Sequence, residues 1–131
     1  MGVGTLAVAY APTSAATVRH SIADDLVSEH VTAGCIDDVV LVASELVGNA
    51  VRHGSAVGHD QALDVSWDIE AEAVVVRVLD GSPDLPRQRS TNENETGGRG
   101  LGIIAALASD WGVRRSDRGK QVWARVPIAR G

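Results

Sequence analysis

The sequence predicts an α+β fold, a two-layer sandwich with helices on one face of a mixed sheet. Three observations predict it. Apolar residues recur at helical spacing over 15–30 and again over 36–53. Apolar residues alternate with polar ones over 63–69, and Val74, Val76 and Val78 repeat the pattern on a second segment. The helical segments are grouped rather than placed after every strand, which favours helices gathered on one side of the sheet.

Taken in order, 5–10 alternates loosely and predicts a first strand. Pro12, Thr13 and Ser14 give a turn and a helix start, with Thr13 or Ser14 expected to accept a bond from a free N–H of the first turn. In the first helix Ala15, Val18, Ile22, Leu26 and Val27 share a face, and Gly34 breaks the pattern. The second helix, 36–53, carries the stripe Ile36, Val39, Val40, Ala43, Leu46, Val47 and Ala50. Gly54 stands where a C-terminal glycine cap belongs, and 55–61 reads as a loop. Two strands follow, joined at Ala71–Glu72, the second ending at Asp80. The polar stretch 81–98 has no periodicity; a loop that long inside a compact domain is usually functional or disordered. A third helix over 99–109 and a hairpin, 111–116 and 121–128 about Asp117–Arg118–Gly119, complete the chain.

Composition bounds the function. The 131 residues fit one domain, 1–131, and a hydrophobic fraction of 44% is enough for a core. Aromatics at 3% and a net charge of −5 disfavour base-stacking platforms and sequence-independent nucleic-acid binding. The lone Cys35 excludes an internal disulfide, and no Cys/His spacing indicates zinc. No stretch approaches the ~20 apolar residues needed to cross a bilayer, and 1–10 lacks the pattern of a signal peptide. The expectation is a soluble, cytoplasmic protein without membrane or direct nucleic-acid partners.

Three clusters carry chemistry. Glu45 and Asn49, four residues apart, share a helix face roughly opposite the apolar stripe. An amide oxygen suits Mg²⁺, and a carboxylate can take a proton from a hydroxyl or water; a solvated polar face explains the same pair. Asp80 ends an apolar strand and Gly81 follows. That carboxylate can accept the exocyclic N–H of adenine while glycine admits the ring closely; an ordinary Asp-Gly turn is the plainer reading. Gly97–Gly98–Arg99–Gly100–Leu101–Gly102 opens a helix, where free N–H groups and the helix dipole favour phosphate and Arg99 adds charge. A Rossmann site is a poor match because no strand precedes these glycines, and a Walker loop is excluded because Gly119–Lys120 is followed by Gln121.

In combination the clusters resemble the GHKL ATPase superfamily. Glu45-Leu46-Val47-Gly48-Asn49-Ala50-Val51-Arg52-His53-Gly54 looks like its N box, Val78-Leu79-Asp80-Gly81-Ser82-Pro83 like its first glycine box, and Gly98-Arg99-Gly100-Leu101-Gly102-Ile103 like its second. Within that superfamily the chain is similar, over about 12–127, to the small stand-alone anti-sigma-factor serine/threonine kinases of bacteria. The resemblance implies the Bergerat ATP-binding fold and the cofactors ATP and Mg²⁺. It implies Asn49 as the metal ligand and Glu45 as the catalytic base. A nucleotide site of Asn49, His53, Asp80, Gly81, Gly98, Arg99, Gly100, Leu101 and Gly102 follows, with a mobile lid at about 82–97. It also implies a homodimer that phosphorylates an anti-anti-sigma factor and sequesters a sigma factor, and a partner contact at Arg19.

The chain departs from that pattern in two places. The first box lacks its later glycine at Ser82-Pro83, and the threonine common near the last strand falls at Gln121. These departures motivate the alternative of a regulatory protein-binding module with weak or no catalysis. A histidine-kinase catalytic domain is a third reading, disfavoured because no helical segment with a phosphoacceptor histidine is legible. The four histidines show no metal spacing. Trp67, Trp111 and Trp123 read as core and edge residues. Arg114, Arg115, Arg118 and Lys120 read as a solvated basic edge.

Overall fold

The computed structural model describes residues 2–53, 62–81 and 98–131. Strand β1 (Gly2–Ala9) leads into α1 (Ser14–Ser28) and α2 (Ala33–His53). Strands β2 (Ala62–Ile69) and β3 (Ala73–Asp80) follow, then α3 (Gly98–Leu107), β4 (Asp110–Ser116) and β5 (Gly119–Pro127). The strands form one five-stranded sheet in the order β1-β2-β3-β5-β4. The helices pack on one face of it, which is the α+β sandwich the sequence predicts.

The sheet differs from expectation in being antiparallel at every pairing rather than mixed. The route from β3 through α3 to β4 makes those two strands run in the same direction. Strand β5 then folds back from β4 and inserts between them, so each meets an antiparallel neighbour.

Period-2 alternation sets the two faces of the sheet. On β2, Leu63, Val65, Trp67 and Ile69 point to the helices and are buried. Opposite them on β3 and β5 stand Val74, Val76 and Val78, then Ala124 and Val126. Val18, Ile22 and Leu26 of α1, with Val39, Val42, Ala43, Leu46 and Val47 of α2, close the core from above. Each buried Val, Leu or Ile contributes about 1.5–3 kcal/mol relative to exposure. The other face carries ion pairs, including Arg77–Asp68 between β3 and β2 at 2.6 Å and Arg125 of β5 with Glu70, just past β2, at 3.6 Å.

Trp67 fixes the placement of α1. Its indole lies over Gly4 of β1, and its Nε1–H donates to Asp25 Oδ2 of α1 at 2.8 Å. A Cβ at Gly4 would stand 2.1 Å from the ring, so only glycine fits beneath it.

Helix ends differ from the sequence reading. Neither Thr13 nor Ser14 caps α1 with its side chain; the Ser14 hydroxyl instead donates back to the Ala9 carbonyl at 2.6 Å. The C-terminus of α1 closes with His30 at φ 63, where His30 N–H meets Val27 O and Val31 N–H meets Leu26 O. That is a Schellman ending with a non-glycine residue in the left-handed position. Helix α2 starts earlier than expected, with Gly34 inside its first turn and Ile36 N–H bonded to Thr32 O at 2.9 Å. Among the described residues, no helix is long and apolar enough to cross a membrane. Gly54 and the 55–61 loop lie outside the described residues.

Candidate functional site

Helix α2 builds the first part of the site. Its apolar stripe fixes the rotation of the helix, which leaves Glu45 and Asn49 half-buried on one side. Asn49 Oδ1 accepts a hydrogen bond from Arg52 Nη2 at 2.7 Å. Gly48 makes room for this contact, since a Cβ there would lie 3.2 Å from the Arg52 guanidinium. The amide therefore turns its oxygen toward a positive charge. An amide oxygen so directed fits the donor chemistry of a hard cation such as Mg²⁺. His53 is the last residue of α2. Arg19 of α1 donates to Ser44 Oγ of α2 at 3.3 Å.

Asp80 closes β3 on the helix face of the sheet and is only 1% exposed. Its register partner across β3 and β5 is Lys120, which is 4% exposed, with Nζ 3.9 Å from Asp80 Oδ2. The first residue of β5, Gly119, holds this end of the ladder together. It has φ +141, and a Cβ on it would fall 2.0 Å from the Asp80 carbonyl oxygen. Glycine alone tolerates both demands. Burial, and after it the negative charge of Asp80, push the Tyr10 phenol above its ordinary pKa. Gly81 follows, half-buried.

Two expectations change here. Lys120 is not part of a solvated edge, because its register puts it on the helix face opposite Asp80. Gln121, expected near the adenine end, pairs with Leu79 and faces the other side of the sheet. There it lines a cavity of about 420 Å³ with Thr5, Asp64, Ser66, Leu79 and Arg118, across which Arg118 bonds Asp64 at 2.6 Å. That cavity is separated from Asp80 by the sheet and holds none of the predicted site residues. Lys120 is the residue the sequence reading missed. The signal was present: counting by twos back along β5 from Val126, Ala124 and Val122 reaches Lys120, on the buried face.

The glycine run lies where it was expected, at the start of a helix. Gly98, Arg99, Gly100, Leu101 and Gly102 form the first residues of α3. The first-turn N–H groups of a helix have no partner within it, and the helix dipole adds partial positive charge there. Gly102 is exposed, with open space where a Cβ would be. Ile104, two residues on, is buried and anchors α3. Ser82, Pro83 and the expected lid at 82–97 lie outside the described residues.

These parts sit on elements that touch. Helix α2 packs on β3, on β5 and on α3. The elements that carry Glu45 and Asn49, Asp80, and the glycine-rich start of α3 are thus packed through α2. The arrangement offers a carboxylate acceptor in a buried setting, an oxygen donor for a cation, and a helix N-terminus for phosphate.

Comparison with known proteins agrees with this geometry. No curated protein sequence matches the chain. The crystal structure of the RsbU and RsbW domains of Rv1364c from Mycobacterium tuberculosis superposes with a TM-score of 0.75 at 21% identity, covering 99% of this chain and 33% of that one. The histidine kinase domain of a blue-light-activated histidine kinase from Erythrobacter litoralis superposes with a TM-score of 0.51 at 23% identity, covering 72% of this chain and 45% of that one. The chain thus spans a third and under half of those two, and at such identities the likeness is one of fold. In sequence, the histidine kinase-like ATPase domain profile matches residues 8–126, nearly the whole chain. Matched over nearly its whole length, the chain belongs to the histidine kinase-like ATPase domain family, of GHKL type.

Proposed function

We propose that the chain, as one domain over 1–131, binds Mg-ATP and phosphorylates a serine or threonine of an anti-anti-sigma partner. In the same cytoplasmic switch, working as a homodimer, it sequesters a sigma factor. The observation that carries this reading is the Glu45–Asn49 face of α2, with the Asn49 oxygen already turned to a cation 2.7 Å away. The resemblance of the motifs to the anti-sigma kinases, and the likeness in fold to a chain that includes an RsbW domain, support the finer assignment.

Each residue has a role in this proposal. Asp80 accepts the N–H of the adenine amine, and Gly81 admits the ring. The first-turn N–H groups of α3, from Gly98 to Gly102 with Leu101 between, receive phosphate oxygens, and Arg99 adds positive charge. Asn49 holds Mg²⁺ and His53 completes that side of the nucleotide site. The ion, when bound, neutralises charge on the phosphates during transfer. Glu45 accepts the proton of the partner hydroxyl as its oxygen bonds to the γ-phosphorus, and the bond from that phosphorus to ADP breaks. The proton rests on Glu45 and ADP is the leaving group.

The test is a transfer assay with radiolabelled ATP and an anti-anti-sigma partner. Glu45→Ala is expected to lower transfer by at least roughly a hundredfold while ATP affinity is kept; undiminished transfer removes Glu45 as base. A second reading, a regulatory protein-binding module without catalysis, has one observation in its favour. The Asp80 carboxylate already has a buried ammonium beside it. Partner binding that persists without nucleotide, with no phosphorylated product, favours that module.

A further inference from the structure

A lysine buried to this degree is unusual, because an ammonium taken out of water costs several kcal/mol unless a compensating charge is at hand. Its neighbours show the ordinary solution. Arg114 and Arg115 are exposed, and Arg118 reaches Asp64 on the far face of the sheet. Lys120 alone of this run turns inward. The register fixes it there: Lys120 stands directly across from Asp80, and Gly119 lets β5 close against the Asp80 backbone.

The separation of the two charges also matters. Nζ and Oδ2 are 3.9 Å apart, beyond the roughly 2.7–2.9 Å of a charge-assisted hydrogen bond. A carboxylate, which accepts, and an ammonium, which donates, stand side by side on the helix face of the sheet. The adenine edge offers the complement, a 6-amino donor next to the N1 acceptor. Guanine in the same orientation offers the reverse, an oxygen toward the carboxylate and an N–H toward the ammonium. An ammonium can donate but cannot accept, so the pair rejects guanine at both points.

Building on the proposed nucleotide site, we infer that Lys120 is the second half of a two-point base reader. Asp80 accepts from the adenine 6-amino group while Lys120 donates to adenine N1. Lys120 is thus a specificity-determining residue, and the buried ion pair is kept for recognition of the base.

The test compares ATP with 1-deaza-ATP, in which N1 is replaced by C–H, by calorimetric titration in Mg²⁺ against the whole chain and a Lys120→Met variant. A hydrogen bond to a charged group predicts that the unaltered chain binds 1-deaza-ATP roughly ten- to a hundredfold more weakly than ATP. Lys120→Met is expected to bind ATP more weakly by a similar factor and to treat the two nucleotides alike. Equal affinities in the unaltered chain overturn the inference without reference to any variant. So does discrimination that survives in Lys120→Met. Failure of the unaltered chain to bind either nucleotide removes the nucleotide reading itself, and the base reader with it.

Discussion

Replacing Gly4 by Ala tests how the first strand and first helix are held. The added Cβ would sit 2.1 Å from Trp67 Cε2 and 2.3 Å from both Cζ2 and Nε1. Trp67 is 3% exposed and has no open side to move into. Overpacking of this kind costs about 1–3 kcal/mol. Displacing the indole also breaks its 2.8 Å bond to Asp25, the tie between sheet and α1. A bond to a charged group is worth about 1.5–3 kcal/mol. Together these come to roughly 2.5–6 kcal/mol, a large share of the ~5–15 kcal/mol typical of a domain. For a chain of this length that lowers the melting temperature by roughly 10–24 °C. Urea denaturation followed by far-ultraviolet circular dichroism, with a thermal scan beside it, measures both figures. The clash involves indole atoms, so on a Trp67→Phe background the Gly4→Ala cost should shrink to under about 1.5 kcal/mol. A Gly4→Ala protein melting within roughly 3 °C of the unaltered chain would refute this placement of Trp67.

Other glycines give contrasting outcomes. Gly119→Ala meets both a positive φ and a backbone oxygen 2.0 Å away, so it should destabilise by more than about 2 kcal/mol in urea denaturation. Gly102→Ala meets open space inside α3 and should stabilise by about 0.5–1 kcal/mol in the same experiment. Arg118→Ala removes an ion pair whose side chains are 63% and 41% exposed, so unfolding free energy should change by less than about 1 kcal/mol.

Much of the fold was legible because burial imposes periods. The alternation at Leu63, Val65, Trp67 and Ile69 follows from one wet and one dry face and appears as read, while the stripe of α2 is shifted, with Val42 buried in the core where Val40 was expected. What escaped depends on neighbours distant in sequence. His30 closes α1 in a conformation usually left to glycine, held by the backbone bonds of the last turn, so its residue type gave no sign. Gly34 looked like a breaker yet lies in the first turn of α2, where glycine disrupts least. The antiparallel sheet required knowing that β5 inserts between β3 and β4. In the candidate site, Glu45, Asn49, Asp80 and the α3 glycines stand out in the sequence because each motif has local spacing. Lys120 was grouped with solvated cations because charge was weighed before strand register. Arg52 was read as part of a motif, and its bond to Asn49 emerged only from the coordinates.

The central claim is that Asp80 and Asn49 serve one Mg-ATP site. Isothermal titration of the chain with ATP, with and without Mg²⁺, tests it most directly when run beside Asp80→Asn and Asn49→Ala. Saturable binding that depends on Mg²⁺ is expected, lost in both variants, each of which keeps the circular dichroism spectrum of the unaltered chain. Absence of binding in the unaltered chain, or binding indifferent to both substitutions, would contradict it.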